Sequence, residues 1–326
     1  MYLNSLSIEM GNDHRYDISV ILPSMNEGDN VKKVIEEIYT QFTRLKLNGE
    51  IIAIDAPSKS PSMPTYDSYA NNKDNFTAVE LSEKKKAGSG KTLQYMIGFK
   101  LAQGKYIIQM DSDGQDDPAD LHKFIEQLDA GFDLVVGHKQ DRKDGAVYML
   151  TSKVGNTLTR VLTGTTVHDM NCGFKGYPAK VAKSLNLRGR WYRYIPSILA
   201  SKGYKVTEVP INNRKREWGN TNFSFFNRLQ GGLFDMLVIA IINRYRDTPM
   251  YFWGWLGIAM VAISFPFAAL GVLLNEGTYK IVSFMFSFLL LQSAFISFIV
   301  GLSNEFSRDQ ERIPLKEMPI KRIVKK

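Results

Sequence analysis

The chain has a single cysteine, Cys172, and only four histidines among its 326 residues. One cysteine cannot form an intramolecular disulfide, so a disulfide-stapled fold is excluded. Zinc sites need clustered cysteine and histidine, and the sequence offers no such cluster. Hydrophobic residues, in contrast, make up 44% of the chain. The composition therefore predicts one large domain held by a hydrophobic core, with room for a second, smaller part.

A glycine is missing where an ATPase phosphate-binding loop would need it. The stretch Gly90-Lys91-Thr92 matches the end of the pattern G-x-x-x-x-G-K-[ST], but Lys85 occupies the position of the first glycine. That glycine begins the turn that points successive backbone N–H groups at the phosphates. The nucleotide-hydrolase interpretation is therefore rejected, while Lys91 remains a candidate phosphate contact.

Charge is absent from two long segments near the C-terminus, 251–274 and 281–302. Each is longer than the roughly 20 residues that a helix needs to cross a bilayer. They predict two transmembrane helices, and the alternative is a buried helical hairpin in a soluble domain. Basic residues lie on the outer flanks of both segments, and the positive-inside rule places these flanks in the cytoplasm.

These features predict four regions. They are a cytoplasmic domain over 1–224, an interfacial juxtamembrane helix within 225–248, two transmembrane helices within 249–303, and a basic cytoplasmic tail over 304–326. The interfacial segment carries four charges on an otherwise apolar helix, and an ordinary amphipathic helix packed on the soluble domain explains it equally well. The whole is expected to be a multi-pass membrane protein with both termini in the cytoplasm.

Short apolar runs alternate with helical patterns in the first region. The predicted strands are Asp17–Pro23, Glu50–Asp55, Phe76–Leu81, Tyr106–Asp111 and Phe132–Gly137. Strands alternating with helices predict an α/β domain with a mostly parallel sheet covered on both faces. Ligands of such sheets bind beyond the carboxyl ends of the strands.

Polar residues gather at those predicted strand ends. Asn26 and Glu27 follow the first strand, Asp55 ends the second, and Asp111 and Asp113 follow the fourth. Together they predict a nucleotide site at one edge of the sheet. The alternative is that aspartates such as Asp55 and Asp111 only cap helices or turns.

The sequence "MDSDGQDDP" places oxygen donors close together at Asp111, Asp113 and Gln115. Such donors after a buried strand suit Mg²⁺ or Mn²⁺ bridging carboxylates to a diphosphate. A calcium loop is rejected, because the glycine is fourth and not sixth and the twelfth residue is His122. A purely structural acidic turn is the alternative.

Seven motifs occur in order along the chain and are followed by the two apolar segments. The motifs are "ISVILPSMNEGDNV", "GKTLQYMIGFKLAQGKYIIQMDSDGQDDP", "DLVVGHKQDRKDG", "SKVGNTLTRVLTG", "HDMNCGFKGYP", "RYIPSILASKGYKVTEVPI" and "REWGNTNFSF". Together they resemble glycosyltransferase family 2, and more narrowly its polyprenyl-phosphate glycosyltransferases, relatives of dolichol-phosphate mannosyltransferase. The resemblance implies a GT-A fold, a nucleotide-diphosphate sugar donor, Mg²⁺ or Mn²⁺, and a lipid phosphate acceptor.

The resemblance also assigns roles residue by residue. It implies donor binding by Pro23, Asn26, Glu27, Asp55, Lys91 and Asp111. It implies acceptor-phosphate binding by Lys139, Arg142, Lys153 and Arg193. Asp113 and Gln115 are the expected metal ligands, and Asp113, Asp169 and Arg216 the expected catalytic residues. Asp169 would orient the sugar or act as a base, although an internal structural hydrogen bond explains it almost as well.

Some positions depart from the family pattern. Ala56-Pro57 replaces an Asp-Gly pair after the second strand, Gly114 replaces a leucine, Tyr192 replaces a frequent histidine, and Asn222 replaces a lysine. These changes favour either a different sugar donor or a weakened, membrane-anchored scaffold or sugar-lipid binder. A processive polysaccharide synthase is disfavoured, because two spans do not readily form a polymer channel and no "Q-x-x-R-W" run follows.

The expected function is inverting transfer of one sugar from UDP-glucose or GDP-mannose, or a related donor, to undecaprenyl- or dolichyl-type phosphate. The formal charge of +8 suits two anionic substrates and an anionic membrane surface, and no nucleic-acid partner is expected. The resemblance also suggests a homo-oligomer, with the number of subunits left open.

Overall fold

The computed structural model describes residues 14–82, 89–139, 167–214, 238–241, 244–245, 248–274, 277–306 and 320–324. The chain divides into two compact units. The first contains Met1–Asp235 together with Ile313–Lys326, and the second contains Met236–Arg312.

An eight-stranded sheet forms the centre of the first unit. Its strands are β1 (Tyr16–Ser24), β2 (Gly49–Asp55), β3 (Phe76–Leu81), β4 (Gly104–Gln109), β5 (Leu134–Lys139), β6 (Lys175–Pro178), β7 (Val206–Ile211) and β8 (Ile320–Val324). Their order across the sheet is β7-β5-β6-β4-β1-β2-β3-β8. The pairs β1–β2, β1–β4, β2–β3 and β5–β7 are parallel, so the prediction of a mostly parallel sheet is confirmed.

Six α-helices accompany the strands in the described part of this unit. They are α1 (Val31–Arg44), α2 (Met63–Asn72), α3 (Ser89–Leu101), α4 (Leu121–Asp129), α5 (Ala179–Ser184) and α6 (Ile195–Ser201). Helix α1 shows why they pack on the sheet, because Val34, Ile35, Ile38 and Phe42 recur at helical spacing and are buried. All five predicted strands are present, with ends displaced by up to two residues.

Three strands of the sheet were not predicted, namely β7, which is parallel to β5, and the two antiparallel strands β6 and β8. Strand β6 lies between β4 and β5 and is antiparallel to both. Strand β8, in the segment expected to be a basic tail, is antiparallel to β3, with Arg322 opposite Glu80. Because unpaired edge strands invite association with other chains, β8 protects an edge that β3 would otherwise expose.

The second unit contains α7 (Pro249–Leu273) and α8 (Thr278–Phe306), packed as a hairpin. Ser287 Oγ donates to the carbonyl of Ser264 at 3.0 Å, which joins the two helices. Segments Met250–Leu273 and Thr278–Ser303 are long and apolar enough to cross a membrane, and only 17% and 22% of their most apolar windows are buried. A hairpin inside a soluble core would be mostly buried, so the exposure favours the membrane interpretation. Most of the predicted interfacial helix lies outside the described residues.

Candidate functional site

The ends of β1, β2 and β4 meet at one edge of the sheet. Ser24 stands opposite Asp55 and donates through Oγ to Asp55 Oδ1 at 2.8 Å. Ser112, just after β4, donates through Oγ to the carbonyl of Pro23 at 2.7 Å. Glu27, in the turn after β1, is partly exposed. The structure thus brings the polar residues that follow three separate strands to one place.

Asp55 anchors the loop between β2 and α2. Its carboxylate is buried, and Oδ2 accepts hydrogen bonds from the backbone N–H groups of Ser62 at 2.7 Å and Met63 at 3.1 Å. Burial raises the pKa of Asp55, while these donors and Ser24 oppose the rise. Since both carboxylate oxygens accept hydrogen bonds from the protein, Asp55 caps α2 as the alternative interpretation expected. A direct contact with the nucleoside stays a prediction.

Asn26 closes the same loop from the other side. Its φ is +67°, in the left-handed region that asparagine tolerates better than most residues. Its Oδ1 accepts hydrogen bonds from the backbone N–H groups of Lys59 at 2.9 Å and Ser60 at 3.4 Å. Gly28, with φ of +54°, donates its N–H to the carbonyl of Ser60 at 3.2 Å. The unusual Ala56-Pro57 pair therefore belongs to a loop that is fastened to the end of β1.

Lys91 and Asp111 form an ion pair at this edge. Lys91 Nζ lies 2.6 Å from Asp111 Oδ1, and the Tyr95 hydroxyl donates to the same oxygen at 3.2 Å. Burial opposes both charges, but their mutual attraction prevails, so that the pKa of Lys91 is raised and the pKa of Asp111 is lowered. Both groups are therefore charged at neutral pH. Their side chains are partly exposed, 31% for Lys91 and 26% for Asp111, so the pair is not wholly enclosed by the protein.

Buried hydrogen bonds fix the helix that carries Lys91. Gln94 Nε2 donates to the carbonyls of Ser24 and Ile54, each at 2.8 Å, and so ties α3 to the ends of β1 and β2. Thr92 Oγ1 donates to the carbonyl of Gly189 at 2.7 Å. The start of α3 is thus attached both to the sheet edge and to the segment that precedes Tyr192.

Tyr192 contacts two cations. Lys91 Nζ and the guanidinium carbon of Arg193 each lie 5.6 Å from the centre of its ring. Arg193 Nε also donates to the Tyr192 hydroxyl at 3.2 Å. Cation–π attraction at such distances favours keeping both cations on this aromatic side chain. Arg193, a predicted acceptor-phosphate ligand, is therefore close to the predicted donor site.

The turn after β4 holds the predicted metal ligands. The N–H of Gln115 donates to Asp113 Oδ1 at 3.1 Å, and Gly114 between them has φ of +75°. Glycine adopts this left-handed conformation without the steric cost that a side chain would bring. The replacement of the family leucine by Gly114 is therefore matched to the geometry of the turn.

The donor set of the turn fits a hard divalent cation that is shared with a diphosphate. No group of three or more acidic, histidine or cysteine side chains able to hold a metal occurs among the described residues. Asp113 and Gln115, the ligands that the family resemblance implies, lie together in this turn, while Asp111 Oδ1 is paired with Lys91. Mg²⁺ is commonly held by one or two carboxylates together with substrate phosphates and water, so a small donor set is adequate.

Asp116 is buried beside these residues and pairs with Lys139. Its Oδ1 lies 3.2 Å from Lys139 Nζ, and its Oδ2 accepts a hydrogen bond from the N–H of Asp111 at 3.2 Å. Burial raises the pKa of Asp116, with Lys139 opposing the rise. The predicted acceptor ligand Lys139 therefore neutralises a buried acid, and its contact with an acceptor phosphate stays a prediction.

The segment containing Asp169 packs behind Asp111. Glu208 Oε1 accepts hydrogen bonds from the N–H groups of His168 at 2.7 Å and Asp169 at 3.0 Å. Gly173 lies so close to Asp111 that a Cβ on it would be 2.6 Å from the carboxyl carbon. Asp169 itself is buried, and its role as base or sugar ligand stays a prediction.

Three predicted site residues, Arg142, Lys153 and Arg216, lie outside the described residues. Three further residues contribute to the site although the sequence analysis gave them no role, namely Gln94, Asp116 and Gly173. Gln94 could have been noticed because it follows Lys91 by one helical turn. Asp116 could have been noticed because it directly follows the predicted metal ligands, and Gly173 because it lies inside the motif "HDMNCGF".

Replacing Lys91 with methionine is expected to weaken donor binding and to leave Asp111 without its main counter-charge. A charge-assisted hydrogen bond contributes about 1.5–3 kcal/mol, so affinity should fall roughly 10- to 100-fold. Stability at pH 7 should fall by about 1–2 kcal/mol, a value discounted for partial exposure. The folded state lowers the pKa of Asp111 below its value in the unfolded chain. The ion pair therefore stabilises the folded protein fully at pH values above the unfolded-state pKa of Asp111. This stabilisation is lost as the pH falls through the folded-state pKa.

The stability difference between wild type and Lys91→Met should therefore be smaller below about pH 4 than at pH 7. Thermal unfolding of the full chain in detergent at both pH values measures it. Lys105→Met is the matched control, since it breaks an exposed pair with Asp129 at 3.3 Å. An equal loss at both pH values would contradict the assignment to Asp111.

Comparison with known proteins agrees with this geometry. The model of Glycosyl transferase family 2 matches residues 19–185. A dodecaprenyl-phosphate galacturonate synthase from Rhizobium johnstonii is 27% identical over 76% of this chain and 73% of that protein. An undecaprenyl-phosphate 4-deoxy-4-formamido-L-arabinose transferase from Klebsiella pneumoniae is 26% identical over 89% of this chain and 87% of its own length.

Among solved structures, the chain resembles a glucosyl-3-phosphoglycerate synthase from Mycobacterium tuberculosis in complex with Mn²⁺, UDP and glucosyl-3-phosphoglycerate. The TM-score is 0.51 at 17% identity, over 70% of this chain and 80% of the other. That likeness defines the GT-A class of fold. The family model covers more than half of the chain, and the protein belongs to glycosyl transferase family 2. The predicted fold, family and enzyme class are thereby confirmed.

Proposed function

We propose that the protein transfers a single sugar, with inversion, from a nucleotide-diphosphate sugar to a polyprenyl phosphate at the cytoplasmic face of a membrane. The observation that carries the proposal is the Lys91–Asp111 pair beside the Asp113–Gln115 turn at the carboxyl edge of the sheet. The relatives named above act on dodecaprenyl and undecaprenyl phosphates, and the apolar hairpin suits a lipid acceptor.

The chemistry suits the residues at this edge. A phosphate monoester is already an anion near neutral pH, so the attacking oxygen needs little help from a general base. The larger task is to hold two anionic substrates together, for which Lys91 and Arg193, both close to the Tyr192 ring, supply positive charge. Asp113 and Gln115 would hold Mg²⁺ or Mn²⁺, which when bound would stabilise the negative charge of the leaving diphosphate.

The course of the chain supports the predicted topology. After β7, at one edge of the sheet, the chain continues into the unit that contains the apolar hairpin, and after the hairpin it returns as β8 at the opposite edge. Segments that pair in one sheet must lie on the same side of a membrane. The two ends of the hairpin therefore belong on one side, and the basic flanks favour the cytoplasm.

A donor panel tests the proposal. The full-length protein is incubated with Mn²⁺, undecaprenyl phosphate and labelled UDP-glucose, GDP-mannose or UDP-galacturonate, the last chosen from the name of the Rhizobium relative. We expect one donor to give labelled lipid that is extracted into organic solvent. Addition of EDTA, which removes Mn²⁺, should reduce this label to background. A product with the anomeric configuration of the donor would contradict inversion.

A second candidate is a sugar-lipid binder or scaffold without turnover. The observation in its favour is that the side chains of Asp55 and Asn26, two predicted donor-binding residues, accept hydrogen bonds from the altered loop 56–62. Absence of extractable label with every donor, together with retained binding of undecaprenyl phosphate, would favour this candidate and overturn the transferase proposal.

A further inference from the structure

The residues after β7, Asn212–Arg214, are bonded to the chain that follows the predicted metal ligands, which includes a short 3-10 helix, Pro118–Asp120. Asn212 donates its backbone N–H to Asp120 Oδ2 at 2.7 Å and its Nδ2 to Asp117 Oδ2 at 3.0 Å. Asn213 and Asp116 form an isolated antiparallel bridge. Two stretches almost a hundred residues apart in sequence therefore form one substructure.

Arg214 makes the most extensive contacts in this substructure. Its Nη1 lies 2.6 Å from Glu37 Oε2 on α1, and its Nη2 lies 2.6 Å from Asp117 Oδ1. Its backbone N–H donates to the carbonyl of Gln115 at 2.9 Å. The guanidinium fork suits this arrangement, because its separate N–H groups can bond two carboxylates at once. Lysine would have to make both contacts from one nitrogen, without the two separate arms of the guanidinium.

These contacts are made beyond the sheet itself. Strand β7 ends at Ile211 and is already paired with β5 along its length. Arg214 bonds instead to the peptide of Gln115, a predicted metal ligand, and to Asp117 two residues later. It also lies two residues before Arg216, which the family resemblance places near the donor phosphates. The bonds of Arg214 thus join two parts of the proposed donor site.

We propose that Arg214 is a positioning residue that holds the Asp113–Gln115 turn in place relative to α1 and the end of β7. The proposal rests on the proposed function, because it assigns the turn to cation and diphosphate binding. Misplacing a site by about 1 Å can cost roughly 100-fold in rate, so a residue that fixes the turn can matter without touching substrate. Glu37 and Asp117 act with Arg214, since each accepts one arm of its guanidinium.

The principal variant is Arg214→Met, which keeps an unbranched side chain and removes both ion pairs. Lys123→Met is the matched control. Lys123 pairs with Asp120 at 2.6 Å and donates to the carbonyl of Pro210 at 2.9 Å, so its loss weakens the same substructure without touching Gln115 or Asp117. Arg214→Lys tests rescue by one cation, and the pair Glu37→Gln and Asp117→Asn tests the two partners separately should Arg214→Met fail to fold.

Two readouts separate positioning from general stability. The first is hydrogen exchange of peptides spanning Asp113–Asp117 in the full chain, without ligand. We expect at least tenfold faster exchange in Arg214→Met and little change in Lys123→Met. The second is calorimetric binding of UDP and of GDP, each with Mn²⁺. The nucleotide that wild type binds should bind about tenfold more weakly to Arg214→Met, with Arg214→Lys intermediate and Lys123→Met close to wild type.

The outcomes distinguish this inference from the proposed function. If wild type binds neither nucleotide with Mn²⁺, the proposed donor site is wrong and the role of Arg214 is overturned with it. If wild type binds but Arg214→Met and Lys123→Met change exchange and affinity equally, Arg214 contributes only stability. Faster exchange of the turn together with unchanged nucleotide affinity would also overturn the positioning role.

Discussion

Replacing Asp113 with asparagine is expected to lower sugar transfer by about 100- to 1,000-fold while the fold is retained. The asparagine oxygen can still accept the hydrogen bond that Gln115 donates to Asp113 Oδ1 at 3.1 Å, so the turn keeps its internal bond. What is lost is the negative charge available to a divalent cation. Removing one preorganised electrostatic contact from a reaction centre costs about 10²–10³ in rate, which sets the expected size.

Alanine at position 113 should act differently, because it removes the hydrogen-bond acceptor as well as the charge. Initial rates are measured against Mn²⁺ concentration for wild type, Asp113→Asn and Asp113→Ala. Asp129→Asn is the control, since Asp129 contacts Lys105 and Tyr106 at the start of β4, the opposite end from Asp113. Asp113→Asn with wild-type rates and Mn²⁺ requirement would rule out a metal-binding role for this carboxylate.

The sequence predicted β1 to β5, and β1, β2 and β4 are apolar runs buried on both faces. It missed β7, which is parallel to β5. It failed for β6, where the four residues "KGYP" contain glycine and proline and carry little strand signal. It also failed for β8, whose "IKRIV" follows the apolar hairpin and reads as a basic tail. Both strands form through pairing with partners far away in sequence, which local composition does not encode.

The site, like the sheet, could be predicted from the sequence only in part. Motif spacing indicated Lys91, Asp111 and Asp113, since each follows or precedes a predicted strand. It could not indicate that Lys139 would pair with Asp116, because that contact depends on β5 lying two strands from β4. Nor could it indicate that Asp55 would accept hydrogen bonds from the N–H groups of Ser62 and Met63, because these bonds depend on how the loop after β2 folds back.

Gly173→Ala is expected to combine the largest loss of stability with a severe loss of activity. An added Cβ would lie 2.6 Å from both Cγ and Oδ2 of Asp111, well inside van der Waals contact. Asp111 cannot turn aside freely, because Lys91 and Tyr95 hold its carboxylate. Overpacking of this kind costs about 1–3 kcal/mol, and displacing Asp111 would also move the charge paired with Lys91. We expect transfer to fall roughly 100-fold, as for a displacement of about 1 Å.

Gly90→Ala is the matched control for Gly173→Ala. Among the described residues, no atom beyond its own helix and chain neighbours lies within 4 Å of a Cβ at this position in α3. Alanine inside a helix is favoured over glycine by roughly 0.5–1 kcal/mol, and the variant should be at least as stable as wild type. Retained activity in Gly90→Ala would also agree with the rejection of a phosphate-binding loop, in which that glycine is required.

The cause of the Gly173→Ala defect can be isolated with a double-mutant cycle. Asp111→Ala removes the carboxylate that the new Cβ would strike, so adding Gly173→Ala to it should cost little further stability. The two substitutions should therefore be strongly non-additive, as expected for groups in direct contact. Additive losses in thermal or denaturant unfolding would mean that Gly173 is required for some other reason. In that case the close packing of the "HDMNCGF" segment behind Asp111 would not be what keeps this ion pair in place.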